Sequence, residues 1–209
     1  MRREEAGPVY MALIHHPVYD KNRRVVRTCL TPLDLHDMAR AGRTYGVRGF
    51  FCVSALASQA ELAQTILDHW TSGWGAGYNP NRKEAFSIVR ISPSLDRVVE
   101  EIEAEWGRPP QTVATSARFR DPDLDCRELA ERVRNGGDAY LLLFGTGWGL
   151  VEETVNRADF RLAPIRGRGA FNHLSVRSAA SVILDRVLGD RAVRKQAFRE
   201  PFRPEDVNP

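Results

Sequence analysis

The sequence predicts an α/β fold, a mostly parallel β-sheet covered by helices on both sides. Three observations predict it. The runs VYMALI (9–14), GFFCV (49–53) and YLLLF (140–144) are short and apolar without alternation, as strands buried on both faces are. Between such runs lie segments whose apolar residues recur at i, i+3 and i+4, the signature of a helix with one buried face. The two kinds of segment alternate, and a strand, helix, strand order calls for parallel strands joined by crossovers.

In chain order, the first strand, Val9 to Ile14, ends at His15-His16-Pro17. VYDKNRRVVRTCL then places turn residues Asp20-Lys21-Asn22 between two strand-like pieces and predicts a small hairpin. Thr31-Pro32-Leu33-Asp34 starts a helix, with Thr31 as N-cap, Pro32 where a missing N–H costs nothing, and Asp34 as reciprocal acceptor. Its packed face is Leu35, Met38, Ala39 and Gly42, and it stops near Tyr45-Gly46. Asp37 and Arg40 lie on another side, spaced for an i,i+3 ion pair. After the strand at 49–53, Ser58 and Glu61 predict the cap of a helix whose apolar face is Leu62, Ala63, Ile66, Leu67 and Trp70. Residues 70–85 read as a long glycine-rich loop carrying Trp74, Tyr78, Asn79, Arg82 and Lys83. Aromatics interleaved with cations suit unpaired bases and phosphate, and the competing reading is a loop that packs its own tryptophan.

A strand at 86–91 leads to a helix from Ser94 with Leu95, Val98, Val99, Ile102 and Trp106 inward. A strand at 112–115 and a short helix at 126–134, stopped by Asn135-Gly136-Gly137, come next. The strand at 140–144, a helix at 150–158 with Glu152 and Glu153 in its first turn, and a strand at 160–165 continue the pattern. Val176, Ala179, Ala180, Ile183, Leu184, Val187 and Leu188 mark a final amphipathic helix. Residues 1–189 are expected to form one domain and 190–209, charged and broken by prolines, a flexible C-terminal tail.

Composition narrows the function classes. The net charge of +3 is too mild to prove a nucleic-acid partner, but Arg161, Arg166, Arg168 and Arg177 precede any acid before Asp185, so one patch is electropositive. All basic residues but Lys21, Lys83 and Lys195 are arginines, which suit phosphate and also follow from a genome's base composition. Cys29, Cys52 and Cys126 are scattered, which points to a reduced, cytoplasmic protein without structural metal. The pair His15-His16 has no third ligand at a recognisable spacing. No apolar run reaches the ~18 residues of a membrane span, and the start lacks the apolar core of a signal peptide.

If the sheet is parallel, three strand ends share one edge: Thr115 to Arg118, Gly145 to Gly149, and Ile165 to Asn172. Glycines in two of them let bare backbone approach a ligand. Gly145-Thr146-Gly147-Trp148-Gly149 does not fit the dinucleotide pattern G-x-G-x-x-G, and no Gly-Lys-Ser/Thr marks a phosphate loop. There is also no nucleophile elbow and no His/Cys ligand cluster.

Three ordered blocks carry a family resemblance. LDLHDMARAGRTYGV, with Asp34, Arg40 and Tyr45-Gly46, is similar to the first motif of the SPOUT class of S-adenosylmethionine-dependent RNA methyltransferases. LLLFGTGWGL looks like its second and APIRGRGAFNHLSVRSAASVIL its third, while Ala114 to Arg118 resembles the strand end that several members set beside the cofactor. The chain departs in having Asp34 where asparagine is common, no glutamate in TGWG, and Asn172 one position further from Ser175.

The resemblance implies S-adenosylmethionine as cofactor, RNA (tRNA or ribosomal RNA) as substrate, a homodimer, and a C-terminal trefoil knot. It implies a cofactor site of Thr115, Ser116, Phe144, Gly145, Thr146, Gly147, Gly149, Ile165, Gly167, Gly169, Leu174 and Ser175. Arg40 would orient the acceptor or stabilise an oxyanion, with Asp37 as base. Trp74, Tyr78, Arg82, Arg118, Arg166 and Arg168 would hold RNA. The alternatives are a non-catalytic S-adenosylmethionine- or nucleotide-binding regulatory module and, less favoured, a nicotinamide oxidoreductase.

Overall fold

The computed structural model describes residues 6–189, and the tail expected at 190–209 lies outside them. The chain begins with β1 (Val9–Ile14), buried throughout, and a hairpin of β2 (Val18–Tyr19) and β3 (Val25–Val26). Helix α1 (Pro32–Thr44) starts on the anticipated capping box, with the Thr31 hydroxyl accepting from the Asp34 N–H and the Asp34 carboxylate accepting from the Thr31 N–H. Then follow β4 (Gly49–Val53), α2 (Ala57–Thr71), α3 (Trp74–Tyr78), α4 (Pro80–Phe86), β5 (Val89–Ser92) and α5 (Leu95–Trp106). The second half holds β6 (Gln111–Ala114), α6 (Cys126–Asn135), β7 (Tyr140–Gly145), α7 (Glu152–Arg157), β8 (Phe160–Arg161) and α8 (Val176–Leu188).

Six strands form one sheet in the order β5-β4-β1-β7-β6-β8, and every neighbouring pair is parallel. Alternate residues of β1 divide the core. Val9, Met11 and Leu13 pack with apolar residues of α1, α2, α4, α6 and α8, whereas Tyr10, Ala12 and Ile14 pack with Val98 and Ile102 of α5. A parallel sheet exposes neither face, which is why these strands show no polar alternation.

Local readings fail where a cap was missed or a partner lay far away in sequence. The expected loop at 70–85 contains α3 and α4, because the Asn79 side chain accepts from the Arg82 N–H and Pro80 occupies the first helical position. Asn79-Pro80, inside the stretch expected to be loop, is here a helix start. Phe86 therefore ends a helix, and the strand begins at Val89. Helix α2 starts at Ala57 with Leu56 as N-cap and no side-chain cap, so Ser58 does not cap it, and Leu62 is 39% exposed instead of packed. The strand expected at 160–165 pairs only over Phe160–Arg161. Leu162 still donates to the Ala114 carbonyl, but Ala163 donates to Leu124 and Pro164 has no N–H to give, so the chain leaves the sheet. Asp37 pairs with Arg177 of α8 at 3.1 Å, not with Arg40.

Candidate functional site

The carboxyl ends of β6, β7 and β8 converge as the parallel reading expects. They bound a cavity of about 360 Å³ lined by Thr115 to Arg118, by Phe144, Gly145 and Gly147 to Gly149, by Leu162 to Ile165, and by Asn172 to Leu174. Its remaining wall is the Val176, Ala179 and Ile183 face of α8. The lining holds apolar side chains, loop backbone, hydroxyls, the Asn172 amide, the His173 imidazole and the Arg118 guanidinium, and no carboxylate. Such a hollow binds by shape and by backbone contacts.

The loop after β7 depends on its glycines. A Cβ on Gly145 would lie 2.5 Å from the Leu150 nitrogen and 2.9 Å from the Gly149 carbonyl carbon, both backbone atoms that cannot rotate away. Gly147 and Gly149 have φ of +57° and +100°, where side chains are strained. Around it, the hairpin acts as a clamp. Tyr19 donates its N–H to the Gly149 carbonyl (2.9 Å) and accepts from the Trp148 N–H (2.8 Å). The Arg118 guanidinium donates to the Trp148 carbonyl at 2.5 Å, tying the β6 end to the same loop.

Thr146 has the one side chain of this loop that turns away from the cavity. Its hydroxyl donates to the Ile14 carbonyl (3.0 Å), and it meets the Thr28 hydroxyl at 2.5 Å. The Thr28 hydroxyl also lies 3.4 Å from the His15 carbonyl, to which it can donate, and shares a hydrogen bond of 3.0 Å with His15 Nδ1. The other ring nitrogen of His15, Nε2, is buried and without a hydrogen-bond partner among the described residues. A neutral imidazole agrees with its burial, which pushes the His15 pKa below its ordinary value despite the opposing pull of Asp34.

Asp37 and Arg40 lie elsewhere, in a polar groove between α1 and α8 with Thr44, Tyr45, Ser175, Arg177, Ser178 and Ser181. Arg177 joins the two acids of α1, its Nη1 2.9 Å from the buried Asp34 and its Nε 3.1 Å from Asp37. Ser175 caps α8 by accepting from the Ser178 N–H and belongs to this groove, not to the cavity. Gly167, Gly169, Arg166 and Arg168 are exposed on the loop before α8 and do not line the cavity. Trp74 and Tyr78 are 74% and 71% exposed and stack on each other, ring centroids 4.8 Å apart, on α3. Arg82 lies 3.1 Å from His36 Nδ1 and over the Trp70 ring.

The family follows from comparison with known proteins. A model described as SAM-dependent RNA methyltransferase matches residues 8–189. The chain belongs to that family. The family uses S-adenosylmethionine as methyl donor and RNA as acceptor. An uncharacterised protein of Aquifex aeolicus is 38% identical over 179 residues, 86% of this chain and 87% of that one. A tRNA (guanine-N(1)-)-methyltransferase of Oleidesulfovibrio alaskensis is 40% identical over 189 residues, 90% of this chain but 44% of that protein, so this chain spans under half of it. The fold is shared with the SpoU methyltransferase AviRb of Streptomyces viridochromogenes in complex with AdoMet, at TM-score 0.54 and 19% identity, covering 92% of this chain and 59% of that one.

Of the residues singled out in the sequence, Thr115, Ser116, Arg118, Phe144, Gly145, Gly147, Gly149, Ile165 and Leu174 come together at the cavity. Sequence reasoning missed Leu162 and His173 as lining, held Trp148 and Asn172 only within the strand-end stretches expected at this edge, and missed Tyr19 and Thr28 as supports. Trp148 stood in view within TGWG. Nothing local marks Tyr19 or Thr28, since each acts on a loop more than a hundred residues away.

Proposed function

We propose that this chain transfers a methyl group from S-adenosylmethionine to a nucleotide of tRNA or ribosomal RNA, residues 1–189 acting as one catalytic unit of a homodimer that needs no metal. The observation that carries this reading is the cavity closed by three parallel strand ends and the apolar face of α8, in a member of an RNA methyltransferase family. Its volume and lining fit the cofactor. Phe144, Leu162 and Ile165 supply an apolar slot, and the backbone of the Gly145–Gly149 and 162–174 segments supplies polar contacts.

The cofactor supplies an electrophilic methyl on a sulfonium. The chain's own part is positioning, which lowers such a barrier by holding the acceptor in line. In this reading Arg40 orients the acceptor phosphate or stabilises the developing oxyanion, and Asp37 takes the proton when the acceptor is a ribose hydroxyl. Trp74 and Tyr78 stack an unpaired base, and Arg82, Arg118, Arg166 and Arg168 contact the RNA backbone. Thr146, Gly167, Gly169 and Ser175 shape the cofactor site by setting its loops instead of touching the ligand.

Two finer features belong to the same proposal. The segment 162–175 and α8 thread as a trefoil knot, a reading supported by the Asn172 amide donating to the Ala117 carbonyl (3.3 Å) across the end of β6. The homodimer is supported by the position of Asp37 and Arg40. They stand on the far face of α8 from the cavity of their own chain, so they meet a cofactor only across a subunit boundary.

The test is incorporation of labelled methyl from S-adenosylmethionine into total tRNA and total ribosomal RNA, with calorimetric titration of S-adenosylmethionine, S-adenosylhomocysteine and NAD. Incorporation together with binding of both sulfur compounds is expected. Binding of NAD without response to either sulfur compound would overturn the proposal.

A further inference from the structure

The hairpin between β1 and α1 carries the densest unpaired positive charge among the described residues. Residues 15–30 contain Lys21, Arg23, Arg24 and Arg27 against the single acid Asp20, a net charge equal to the +3 of the whole chain. Asp20 does not offset them through an ion pair. Its carboxylate accepts from the backbone N–H groups of Asn22 (2.7 Å) and Arg24 (2.8 Å), closing the turn. All four cations are exposed, and among the described residues none forms an ion pair. Many arginines elsewhere are held by a carboxylate, Arg97, Arg108, Arg127 and Arg157 among them, whereas Arg40, Arg166 and Arg168 form no ion pair among the described residues either. The Arg23 guanidinium lies 4.7 Å from the Tyr19 ring centroid, and Val25 is 59% exposed beside them.

Charge alone would mark a solvated surface. The attachment of this hairpin says more. Tyr19 holds the backbone of both Trp148 and Gly149, which line the cofactor cavity, and Val18 bridges to Leu150. On the return strand Thr28 reaches the Thr146 hydroxyl, backed by His15. The basic hairpin is thus fixed at both ends to the loop that bounds the cavity, beside Arg118 and the half-exposed Trp148 at its mouth. Unpaired arginines on a rigid support lose little freedom on meeting phosphate, and each neutralised phosphate releases counterions.

We infer that this hairpin is an RNA-binding arm, in which Lys21, Arg23, Arg24 and Arg27 grip the phosphate backbone next to the acceptor nucleotide and the Tyr19 and Thr28 contacts hold that grip in register with the cofactor loop. The inference rests on RNA being the substrate. It adds a surface outside the motifs that define the family's resemblance.

The test compares the parent chain with Lys21→Gln/Arg24→Gln/Arg27→Gln, leaving Arg23 in place because its backbone is left-handed at φ +61°. An equal-charge control, Arg97→Gln/Arg108→Gln/Arg127→Gln, removes three paired cations. Binding of total tRNA and total ribosomal RNA is measured across a salt series, with S-adenosylhomocysteine affinity as the measure of an intact pocket. The arm variant is expected to bind RNA about 10- to 100-fold more weakly at low salt, and to reduce the slope of log K against log salt by roughly 2, with the cofactor product bound as in the parent. The control is expected to keep most of the parent's slope. Equal RNA binding and slope in parent and arm variant would overturn the arm alone, as would a control that loses as much as the variant. A parent that binds neither RNA while binding the cofactor product would overturn the RNA reading, and the arm with it.

Discussion

The cavity at the strand ends and the groove between α1 and α8 share one helix, and they differ in kind. Val176, Ala179 and Ile183 line the cavity, while Arg177, Ser178 and Ser181 line the groove from the opposite side of the same turns. The cavity is walled by apolar atoms and glycine-bearing backbone, with no carboxylate. The groove is walled by charge, and its charges are already partly matched, Arg177 lying between Asp34 and Asp37. A hollow of the first kind selects its ligand by shape and backbone contacts. One of the second kind is open to a charged partner on its Asp37 side, where the acid is half exposed, while Asp34 stays buried against Arg177. Methyl transfer needs both, a rigid seat for the donor and an adaptable grip for the acceptor.

Four changes break or sharpen that contrast. The largest effect is expected from Gly145→Ala, since the new Cβ runs into the Gly149–Leu150 peptide unit and the loop must move. S-adenosylhomocysteine affinity should fall about 100-fold or more, read by calorimetry, with the groove unaffected. Arg40→Ala acts on the groove alone. Methyl incorporation should fall roughly 100-fold while cofactor affinity changes less than about twofold, the split expected of a group that acts on the acceptor. Arg177→Met separates structure from chemistry in the same groove. It leaves the buried Asp34 without its guanidinium, so urea denaturation should report a loss of about 1–3 kcal/mol.

The smallest effect concerns the support behind the cavity loop. Burial pushes the His15 pKa below the ordinary 6.5, so the unfolded chain takes up a proton at a pH where the folded chain does not. Stability is therefore full above 6.5, falls as pH drops through that value, and levels off below the depressed folded pKa. His16 and His36, lowered first by burial and then by Arg27 and Arg82 respectively, add in the same direction. His15→Gln should flatten the dependence, measured as urea midpoints at about pH 7.5 and 5.5; an unchanged difference between them would show that His15 is not its source.

Much of the architecture was readable locally because its causes are local. The Thr31 and Asp34 capping box, the Ser94 cap of α5 and the unalternating runs of β1, β4 and β7 act over a few residues. Convergence of Thr115, Gly145 and Ile165 at one edge was also legible, since parallel strands bring their carboxyl ends together whatever their order. Asn79-Pro80 was a local signal passed over within an expected loop, although an Asn cap followed by proline at the first helical position marks a helix start. Asp37 shows the other kind of failure. Its spacing allowed a pair with Arg40, but packing of α8 against α1 brought Arg177 closer.

The sequence alone determined the parallel α/β sheet and the glycine loops at its edge, for these rest on hydrophobic period, capping and backbone freedom, all properties of short stretches; the family was carried by the resemblance of three ordered motifs. Only the tertiary structure decided that Arg40 and Ser175 belong to a different hollow from Gly145. It alone turned Thr146 toward Thr28 and His15, and pinned a basic hairpin to the loop that bounds the cavity. The reason is physical: hydrogen bonds and ion pairs form between whichever groups the packed core brings within about 3 Å, and separation along the chain sets no limit on which groups those are.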